Sequence, residues 1–408
     1  MAQADVMERP LSTKAKDKPN MVQGTIEVQA GQLAKAMRHI DKLIERKITV
    51  PMLAMVRIEA VPCGVLKLCA TDLDIWASDE VPATCSPREV VKFATCVSAR
   101  KLFEAVNMLP AEATVRLTKG SGADAGRLLV HAQGIFGPVD YRFPTLPVEE
   151  FPALPRVEPL AEFVMPAFAL ATAIDSVRHA MSSDEARYYL NGIFWHIVDG
   201  QMVMAATDGH RLARHRGVVP EGAEAMPGSL LHRKSIAVIA GVIDALSGKA
   251  ADETDVEIAL GVRRIAVTIG TCELTAKLID GEFPDYSRII PSAHDKSAVL
   301  KPAHLAGAIK QVMLMGCEKT RAVTCVFDDA GMSVHCNSPE NGVAVAEVAC
   351  DYHGAPLTIG FNASYLLAIL DRMGGEECTL ELADASAPTI LRQYEGAGSD
   401  YVLMPMRI

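Results

Sequence analysis

Apolar and polar residues alternate along the chain with two different periods, and each period predicts a different element. In the stretch 187–213, two apolar runs with strand character flank Val198-Asp199-Gly200-Gln201, which has the Asp-Gly chemistry of a tight hairpin turn. A polar loop, Thr207-Asp208-Gly209-His210-Arg211, then follows the second run. In 31–46 the period is that of a helix, because Leu33, Met37, Ile40 and Ile44 fall on one stripe. A short strand at 25–28 precedes this helix.

The same order of predicted elements occurs three times: a helix, alternating strands, a polar loop at the end of a strand, more strands and a second helix. The first helices are predicted at 31–45, 167–181 and 302–315, and the second at 98–109, 232–246 and 362–373. Ser, His or Asn precedes each second helix and is expected to help cap it. A repeat of this length is a whole domain, so the sequence predicts three similar domains.

The loops at the strand ends correspond as well. CATDLDI (69–75) and AATDGHRL (205–212) share Ala-Thr-Asp, and HCNSPENG (335–342) occupies the third equivalent position. Strands that alternate around turns such as Asp328-Asp329-Ala330-Gly331 indicate antiparallel sheets. With two helices per domain, the predicted class is α+β.

Proline marks the first domain boundary. PTLPVEEFPALPRVEP (144–159) contains five prolines, which cannot continue a helix or a central strand and favour an extended linker. The predicted organisation is a disordered tail (1–20), domains at 21–145, 161–293 and 297–408, and a Pro-rich linker at 146–160.

Composition narrows the class of protein. Half of the 408 residues are hydrophobic and 22% are charged, as in an ordinary globular protein. The formal net charge of −10 argues against a simple duplex-binding domain, although an acidic exterior around a basic channel gives the same sum. Ten cysteines without a Cys-x-x-Cys pair indicate a reducing cytoplasm and no zinc site. Neither a signal peptide nor an apolar stretch long enough to cross a membrane is evident, so we expect a cytoplasmic protein without membrane contact.

Catalytic motifs are absent from the sequence. It contains no Gly-x-Ser-x-Gly elbow, Walker loop or His-Glu-x-x-His helix, and the glycine-rich stretch 119–126 is interpreted as a hairpin loop. Asp72 and Asp74 are candidate ligands of a divalent metal, with His210 and His215 as further ligands, but the second repeat lacks the second carboxylate. The comparison of repeats therefore favours a structural turn, and no metal, cofactor or catalytic residue is expected.

Three separated segments carry a resemblance to a known family. RYYLNGIFWHIVDGQMVMAATDGHRLA (187–213), LIDGEFPDYSRIIP (278–291) and YVLMPMRI (401–408) resemble, in this order, the bacterial DNA polymerase III β subunit, the β sliding clamp. The resemblance covers roughly 21–408. It implies three tandem clamp domains, with antiparallel sheets outside and two helices per domain inside, that form a ring.

The resemblance also implies a pocket that binds short peptides of partner proteins. On this chain the pocket residues are Leu190, Thr207, Gly209, His210, Arg211, Leu212, Pro284, Arg288, Ile289, Pro388, Val402, Leu403, Met404, Pro405, Met406 and Arg407. The alternative is that Thr207, Asp208 and the His-Arg pair only hold a turn together by local hydrogen bonds. Ser287 stands where the family often has a second arginine, so the resemblance implies one rim contact fewer on this chain.

DNA contacts are implied for basic residues on the six helices and on two loops. They are Lys35, Arg38, Lys42, Arg46, Lys47, Arg100, Lys101, Arg178, Arg187, Arg233, Lys234 and Lys310. The alternative for a stripe such as Lys35, Arg38 and Lys42 is a solvated helix face. Asp184 is expected to weaken a phosphate contact of Arg187.

The implied function is that of a homodimeric ring that encircles duplex DNA topologically and without sequence specificity. It would tether the replicative DNA polymerase for processivity and bind the clamp loader and other proteins with clamp-binding motifs. Two alternatives remain open: a paralogous clamp that serves repair or competes with a main clamp, and an enzyme with an unrecognised site.

Overall fold

The computed structural model of the protein describes residues 24–44, 50–61, 64–86, 93–246, 253–291, 294–317, 321–393 and 398–407. The predicted tail, Arg46 and Lys47 lie outside these ranges. Within them, no helix is both long and apolar enough to cross a bilayer.

The described chain forms three consecutive units with the same kinds of element. The first has helices α1 (Ala30–Asp41) and α2 (Ala99–Asn107) and strands β1 (Thr25–Gln29), β2 (Met55–Val61), β3 (Val65–Thr71), β4 (Ile75–Pro82), β5 (Thr84–Ser86), β6 (Ala94–Ser98), β7 (Thr114–Lys119), β8 (Arg127–Gly134) and β9 (Gly137–Leu146). The second has α3 (Ala167–Arg178), α4 (Arg233–Asp244), β10 (Pro159–Pro166), β11 (Gly192–Val198), β12 (Gln201–Thr207), β13 (Arg211–Gly217), β14 (Ser229–His232), β15 (Asp255–Gly261), β16 (Arg264–Ile269) and β17 (Cys272–Lys277). The third has α5 (Pro302–Val312), α6 (Ala363–Leu370), β18 (Lys296–Leu300), β19 (Ala322–Asp328), β20 (Gly331–Ser338), β21 (Gly342–Val348), β22 (Cys350–His353), β23 (Leu357–Asn362), β24 (Cys378–Leu382), β25 (Thr389–Gln393) and β26 (Ser399–Leu403).

Each unit contains two antiparallel strand sets, which confirms the predicted α+β class. In the first unit the orders are β5-β1-β7-β8-β9 and β6-β2-β3-β4. They are β10-β15-β16-β17 and β14-β11-β12-β13 in the second, and β22-β18-β24-β25-β26 and β23-β19-β20-β21 in the third. The two helices of each unit pack on one another, and α1 also meets α4 of the next unit.

The sheets continue across both boundaries between units. β4 of the first unit pairs with β17 of the second, and β13 of the second pairs with β26 of the third. Backbone hydrogen bonds therefore join the units edge to edge, which satisfies edge strands that would otherwise be open.

A buried carboxylate reinforces the second boundary. Asp400 on β26 is 2% exposed and accepts hydrogen bonds from Arg214 and Arg216 of the second unit and from Arg392 of the third. Three guanidinium groups offset the cost of burying one carboxylate, so we infer that this contact strongly favours the observed pairing.

The predicted second-helix caps are confirmed. The side chain of Ser98 accepts from the backbone N–H of Lys101, that of His232 from Lys234, and that of Asn362 from Ser364 and Tyr365. The hairpin turn at Asp199-Gly200 is also confirmed, since both residues have positive φ, 51° and 69°.

All six helices end earlier than predicted. In the residues that follow each helix, backbone N–H groups bond to the carbonyl three residues back, as in Leu43 to Ile40 and Ala180 to Val177. The apolar period continues through this tighter last turn, so the sequence pattern does not reveal where the α-helix stops.

The Pro-rich stretch is shorter than predicted. Pro144 lies within β9 and Pro159 begins β10, which leaves 147–158 between the two strands. Both positions tolerate proline because the first residue of a strand, or an edge position, does not need the missing N–H.

Candidate functional site

The loop between β12 and β13 is held by side chains of its own first two residues. Thr207 Oγ1 donates to the carbonyl of Arg211 at 2.7 Å and accepts from the N–H of Gly209 at 3.1 Å. Asp208 Oδ1 accepts from the N–H groups of His210 and Arg211. Gly209 has a φ of 88°, which its missing Cβ permits.

The equivalent loop of the first unit has the same hydrogen bonds. Thr71 Oγ1 donates to the carbonyl of Ile75 and accepts from the N–H of Leu73, and Asp72 Oδ1 accepts from the N–H groups of Asp74 and Ile75. Leu73 takes the position of Gly209 with a φ of 78°. The interpretation of Thr-Asp as a structural turn is therefore confirmed in both repeats.

The Thr-Asp loop of the first unit, which contains Asp72 and Asp74, contacts the second unit. Asp72 forms an ion pair with Lys234 at the start of α4, and Asp74 pairs with Lys277 of β17 at 2.6 Å. Both carboxylates thus have lysine partners, and no group of three or more potential metal ligands occurs in the described ranges. The metal hypothesis for Asp72 and Asp74 has no support.

The second loop contacts the third unit instead. Arg211 pairs with Asp208 at 3.1 Å and lies over the ring of Tyr365, 4.5 Å from the ring centroid, while His210 stacks on the same ring at 5.9 Å. Tyr365 belongs to the first turn of α6, as Lys234 belongs to the first turn of α4. Each Thr-Asp loop therefore lies against the second helix of the following unit.

Beside the second loop lies an apolar floor, formed by a row of side chains across neighbouring strands. Leu212 of β13 is directly opposite Val402 of β26, which is directly opposite Ile390 of β25. These three side chains are 2%, 1% and 0% exposed and belong to one cluster with Leu190, Ala205, Leu230, Phe283 and Tyr286.

The segment between β17 and β18 closes one side of this floor. Phe283 stacks on Phe194 of β11 at 5.1 Å, and the Tyr286 hydroxyl lies 3.0 Å from His196 Nε2. These aromatic contacts fix the segment, whose Pro284 and Ile289 are exposed. Arg288 extends into solvent and pairs with Asp285 at 2.8 Å.

The C-terminal segment is hydrogen-bonded to the loop and to the third unit. The Met404 N–H donates to the carbonyl of His210, and the Met406 N–H donates to that of Gly360 on β23. Met404 is 39% exposed although its backbone is anchored. The site thus combines a buried apolar floor with exposed apolar and basic groups at its edge, which suits a short peptide with apolar anchors.

The structure brings together most of the predicted pocket segments. Leu190, Leu212 and Val402 pack in one cluster, the loop 207–211 is bonded to Met404, and Pro388 lies two residues before Ile390. Leu403 is buried in the main core instead, because neighbouring strand residues face opposite sides.

Sequence reasoning missed several residues of the site: Phe194, Ala205, Leu230, Phe283, Tyr286, Tyr365 and Ile390. Phe283 and Tyr286 lie in the segment that carried the resemblance, and aromatic side chains in a loop were an available signal. No such signal pointed to Tyr365, because it reaches the loop only through the contact between the second and third units.

The predicted DNA-contacting residues differ in the exposure and in the bonding partners of their side chains. Lys35, Arg38, Arg233 and Lys310 are exposed on their helices, which agrees with either a solvated face or a DNA-facing one. Lys42 is exposed and donates to the carbonyl of Ala237 at 3.1 Å. Arg100 and Lys101 both pair with Glu104.

Three more of these basic residues have acidic partners, of which only that of Lys234 belongs to another unit. Lys234 pairs with Asp72, and Arg178 pairs with Asp175 at 2.5 Å. Arg187 pairs with Asp184 at 3.0 Å, as the sequence suggested, and also donates to the carbonyl of Asp208 in the Thr-Asp loop. Arg187 therefore contacts the apolar site as well.

His179, at the end of α3, is buried at both ring nitrogens and lies near cationic groups. Burial, followed by the proximity of Arg211 and Arg372, lowers the pKa of its side chain from 6.5 to about 3. Its ring is tilted against that of Tyr401 at 5.6 Å. The imidazole is therefore neutral at physiological pH.

Three copies of one α+β unit, joined edge to edge and with an apolar cluster beside one joint, define a scaffold protein of the DNA-clamp class. Comparison with known families gives three matches. The N-terminal, central and C-terminal domains of the DNA polymerase III beta subunit match residues 25–155, 165–285 and 287–407.

Individual relatives agree with these matches. The chain is 33% identical over 388 residues to the beta sliding clamp of Caulobacter vibrioides, which covers 94% of this chain and 100% of the relative. It is 30% identical over 383 residues to that of Escherichia coli K12, covering 93% and 99%. The crystal structure of the Bartonella birtlesii sliding clamp bound to griselimycin superposes with a TM-score of 0.86 at 31% identity, covering 95% of this chain and 100% of that one.

The chain therefore belongs to the DNA polymerase III β subunit family, the β sliding clamps. Members of this family form rings that tether DNA polymerase, and the protein is accordingly a processivity factor without catalytic activity of its own.

The shared hydrogen-bond pattern predicts matched effects of Asp208→Ala and Asp72→Ala. Each substitution removes the acceptor of two backbone N–H groups, which costs about 1 kcal/mol locally. We expect hydrogen exchange in 205–213 to accelerate about fivefold in Asp208→Ala, with 69–77 unchanged. Asp72→Ala should give the reverse pattern. Unaltered exchange in both variants would contradict the assignment of the turns.

The buried His179 predicts a loss of stability in mild acid. Its pKa is about 3 when folded and about 6.5 when unfolded, so below pH 6.5 the unfolded chain binds a proton that the folded chain does not. Lowering the pH to 5 should reduce the free energy of unfolding by about 2 kcal/mol. Urea unfolding measured before and after this change of pH should show a smaller loss of unfolding free energy for His179→Gln than for the parent protein. The exposed His353 is the control, and His353→Gln should behave as the parent protein does.

Proposed function

We propose that the apolar site between the second and third units binds short peptide segments of partner proteins. These partners include the replicative DNA polymerase, the clamp loader and other proteins with clamp-binding motifs. We also propose domains at 21–145, 161–293 and 297–408, separated by the Pro-rich linker and preceded by a tail. The cytoplasmic location stays a prediction.

The observation that carries the proposal is the buried row of Leu212, Val402 and Ile390. Beside it lie edge residues such as Met404, whose backbone is anchored but whose side chain is exposed. A peptide that packs aliphatic or aromatic side chains against the exposed apolar groups at the edge of this row, Met404 and Ile289, would remove apolar surface from water, which is the main source of affinity in such sites. Met404 is flexible enough to fit different anchors, and His210 and Arg211 can bond the polar groups of the peptide.

Removal of residues 404–408 tests this proposal. The truncation deletes the edge that Met404 forms beside His210, and we expect affinity for a polymerase-derived peptide to fall tenfold or more, about 1.4 kcal/mol per factor of ten. Fluorescence polarisation measures the affinity, and light scattering checks that the dimer survives. Removal of residues 1–20 is the control and should leave affinity unchanged. If the truncated dimer binds as the intact protein does, the site lies elsewhere.

The pairing between units supports a specific way of closing the ring. Each joint pairs the last strand of one set, β4 or β13, with the last strand of the other set in the next unit, β17 or β26. In the third unit, β21 corresponds to β4 and β13. In the first unit, β9 corresponds to β17 and β26. We infer that β21 of one copy pairs with β9 of a second copy, which gives a closed dimer of six units.

The surface of β21 is consistent with this pairing. It is the last strand of its set, and its Val343 and Val345 are 65% and 55% exposed. Exposed apolar residues on an open edge favour pairing with another chain.

Charge at β21 should therefore weaken the dimer. We expect Val345→Glu to raise the dimer dissociation constant at least about tenfold, because the carboxylate would lose water at the joint. Val262→Glu, at a valine that is 72% exposed in the second unit, is the matched control. Analytical ultracentrifugation compares both. A dimer of unchanged strength in Val345→Glu would exclude β21 as the joint.

DNA binding is proposed for the helical face, through Lys35, Arg38, Arg233 and Lys310 first, because these side chains are exposed. Arg46 and Lys47 remain sequence-based candidates. The scattered charges suit non-specific contacts with phosphates, which are weak enough for sliding and depend on salt. The protein would then be retained on DNA because its ring encircles the duplex.

Charge reversal at α1 tests this arrangement. For the double variant Lys35→Glu, Arg38→Glu, we expect weaker binding to linear duplex and a salt dependence shallower by about two counterions. Arg156→Glu, in the Pro-rich stretch, is the control and should bind as the parent protein does. After loading on nicked circular DNA, all three should persist until the circle is cut. Equal persistence on linear DNA would contradict encirclement.

A further inference from the structure

An apolar recess lies in the second unit, apart from the apolar floor of the candidate peptide site. It has a volume of about 320 Å³ and is lined by β10, α3, β11, β12, the end of β13 and the residues that follow β13. Its walls include Met165, Trp195, Met202 and Met204, all less than 10% exposed. None of the peptide-site residues described above lines it.

Small side chains on α3 create the space. Ala169 and Ala173 face the recess, whereas the opposing strands contribute Trp195 and methionines. Protein interiors are normally filled to the density of organic crystals, so the walls of an open recess of this size lack dispersion contacts that a ligand could restore. Val164 and Val218 also line it and are 50% and 90% exposed, which identifies the side on which it opens.

Polar groups in the walls are few. Trp195 is 1% exposed, and its Nε1 is a buried donor without a hydrogen-bond partner in the described chain. An unsatisfied buried N–H is costly and is usually matched by a water or a ligand acceptor. His215 bonds Ser399 at 2.8 Å, and burial together with Arg216 lowers its pKa, so the ring is neutral at pH 7.

We propose that this recess is a binding site for a small, neutral, largely apolar molecule that carries one hydrogen-bond acceptor. The Trp195 Nε1 atom is covered in the free protein, so the acceptor would bond it after the flexible methionine side chains of the walls shift aside, and the apolar body would contact these methionines and the alanines of α3. A charged molecule is disfavoured because the walls offer no opposite charge to compensate its lost hydration. The volume lies at the lower end of the range for ligand sites and admits about one substituted ring.

The full-length protein can be tested with 4-fluoroacetanilide as the probe, since it is neutral, aromatic and carries a carbonyl acceptor. We expect a Kd of about 1 mM, measured by ¹⁹F relaxation. The chain has two tryptophans, so Trp76→Phe leaves Trp195 as the only indole, and its fluorescence should change over the same concentration range.

Two substitutions on one helix locate the binding. Ala169→Leu fills the recess and should weaken binding at least about tenfold. Ala171→Leu is the same change at a half-buried position outside the recess and should leave binding unaltered. If Ala169→Leu does not fold, Ala173→Val replaces it. Trp195→Phe keeps an aromatic, though smaller, side chain and removes the donor, and should weaken binding about fivefold.

Each outcome decides a part of the proposal. Equal binding by Ala169→Leu and Ala171→Leu, or no saturable binding by the parent protein, would overturn the site. Undiminished binding by a folded Trp195→Phe would overturn the required acceptor. Peptide affinity, measured separately, is expected to be unchanged in the two α3 variants, so the outcome is independent of the proposed peptide site.

Discussion

Pairing of strands across the boundaries between units is the interaction on which the rest of the structure depends. β4 with β17 and β13 with β26 turn three separate units into a continuous framework. Main-chain hydrogen bonds fix direction and register together, because a slip by one residue would turn every side chain to the other face. At the second boundary the buried Asp400 would then lose the alignment of its arginine partners.

The candidate peptide site is a direct consequence of that pairing. Val402 comes to lie between Leu212 and Ile390 only because β26 is inserted between β13 and β25. The Thr-Asp loop is rigid for local reasons, but its contact with Tyr365 exists because the third unit is held against the second. The joint and the site therefore share one set of strands, and a change in the pairing of β13 with β26 would alter both.

The repeats also show how one local structure acquires different roles. Thr71-Asp72 and Thr207-Asp208 fold their loops in the same way, and each loop lies against the first turn of a helix in the next unit. In the first unit the partners are charged, with Asp72 paired to Lys234. In the second, Tyr365 stacks with His210 and Arg211 and leaves the neighbouring floor apolar. The change from lysine to tyrosine distinguishes an ionic joint from one beside a candidate binding site.

Sequence alone determined what depends on neighbouring residues. The period of apolar positions gave the helices and hairpins, Ser98, His232 and Asn362 gave the caps, and the Thr-Asp pairs gave the turns, since each effect acts within a few residues. The repeat and the resemblance then gave the α+β class and most pocket segments. Tertiary structure decided which distant residues meet: Phe283, Tyr286 and Ile390 at the floor, Tyr365 over Arg211, and Asp175 beside Arg372. Those contacts depend on the register of strands far apart in sequence, which no local pattern specifies.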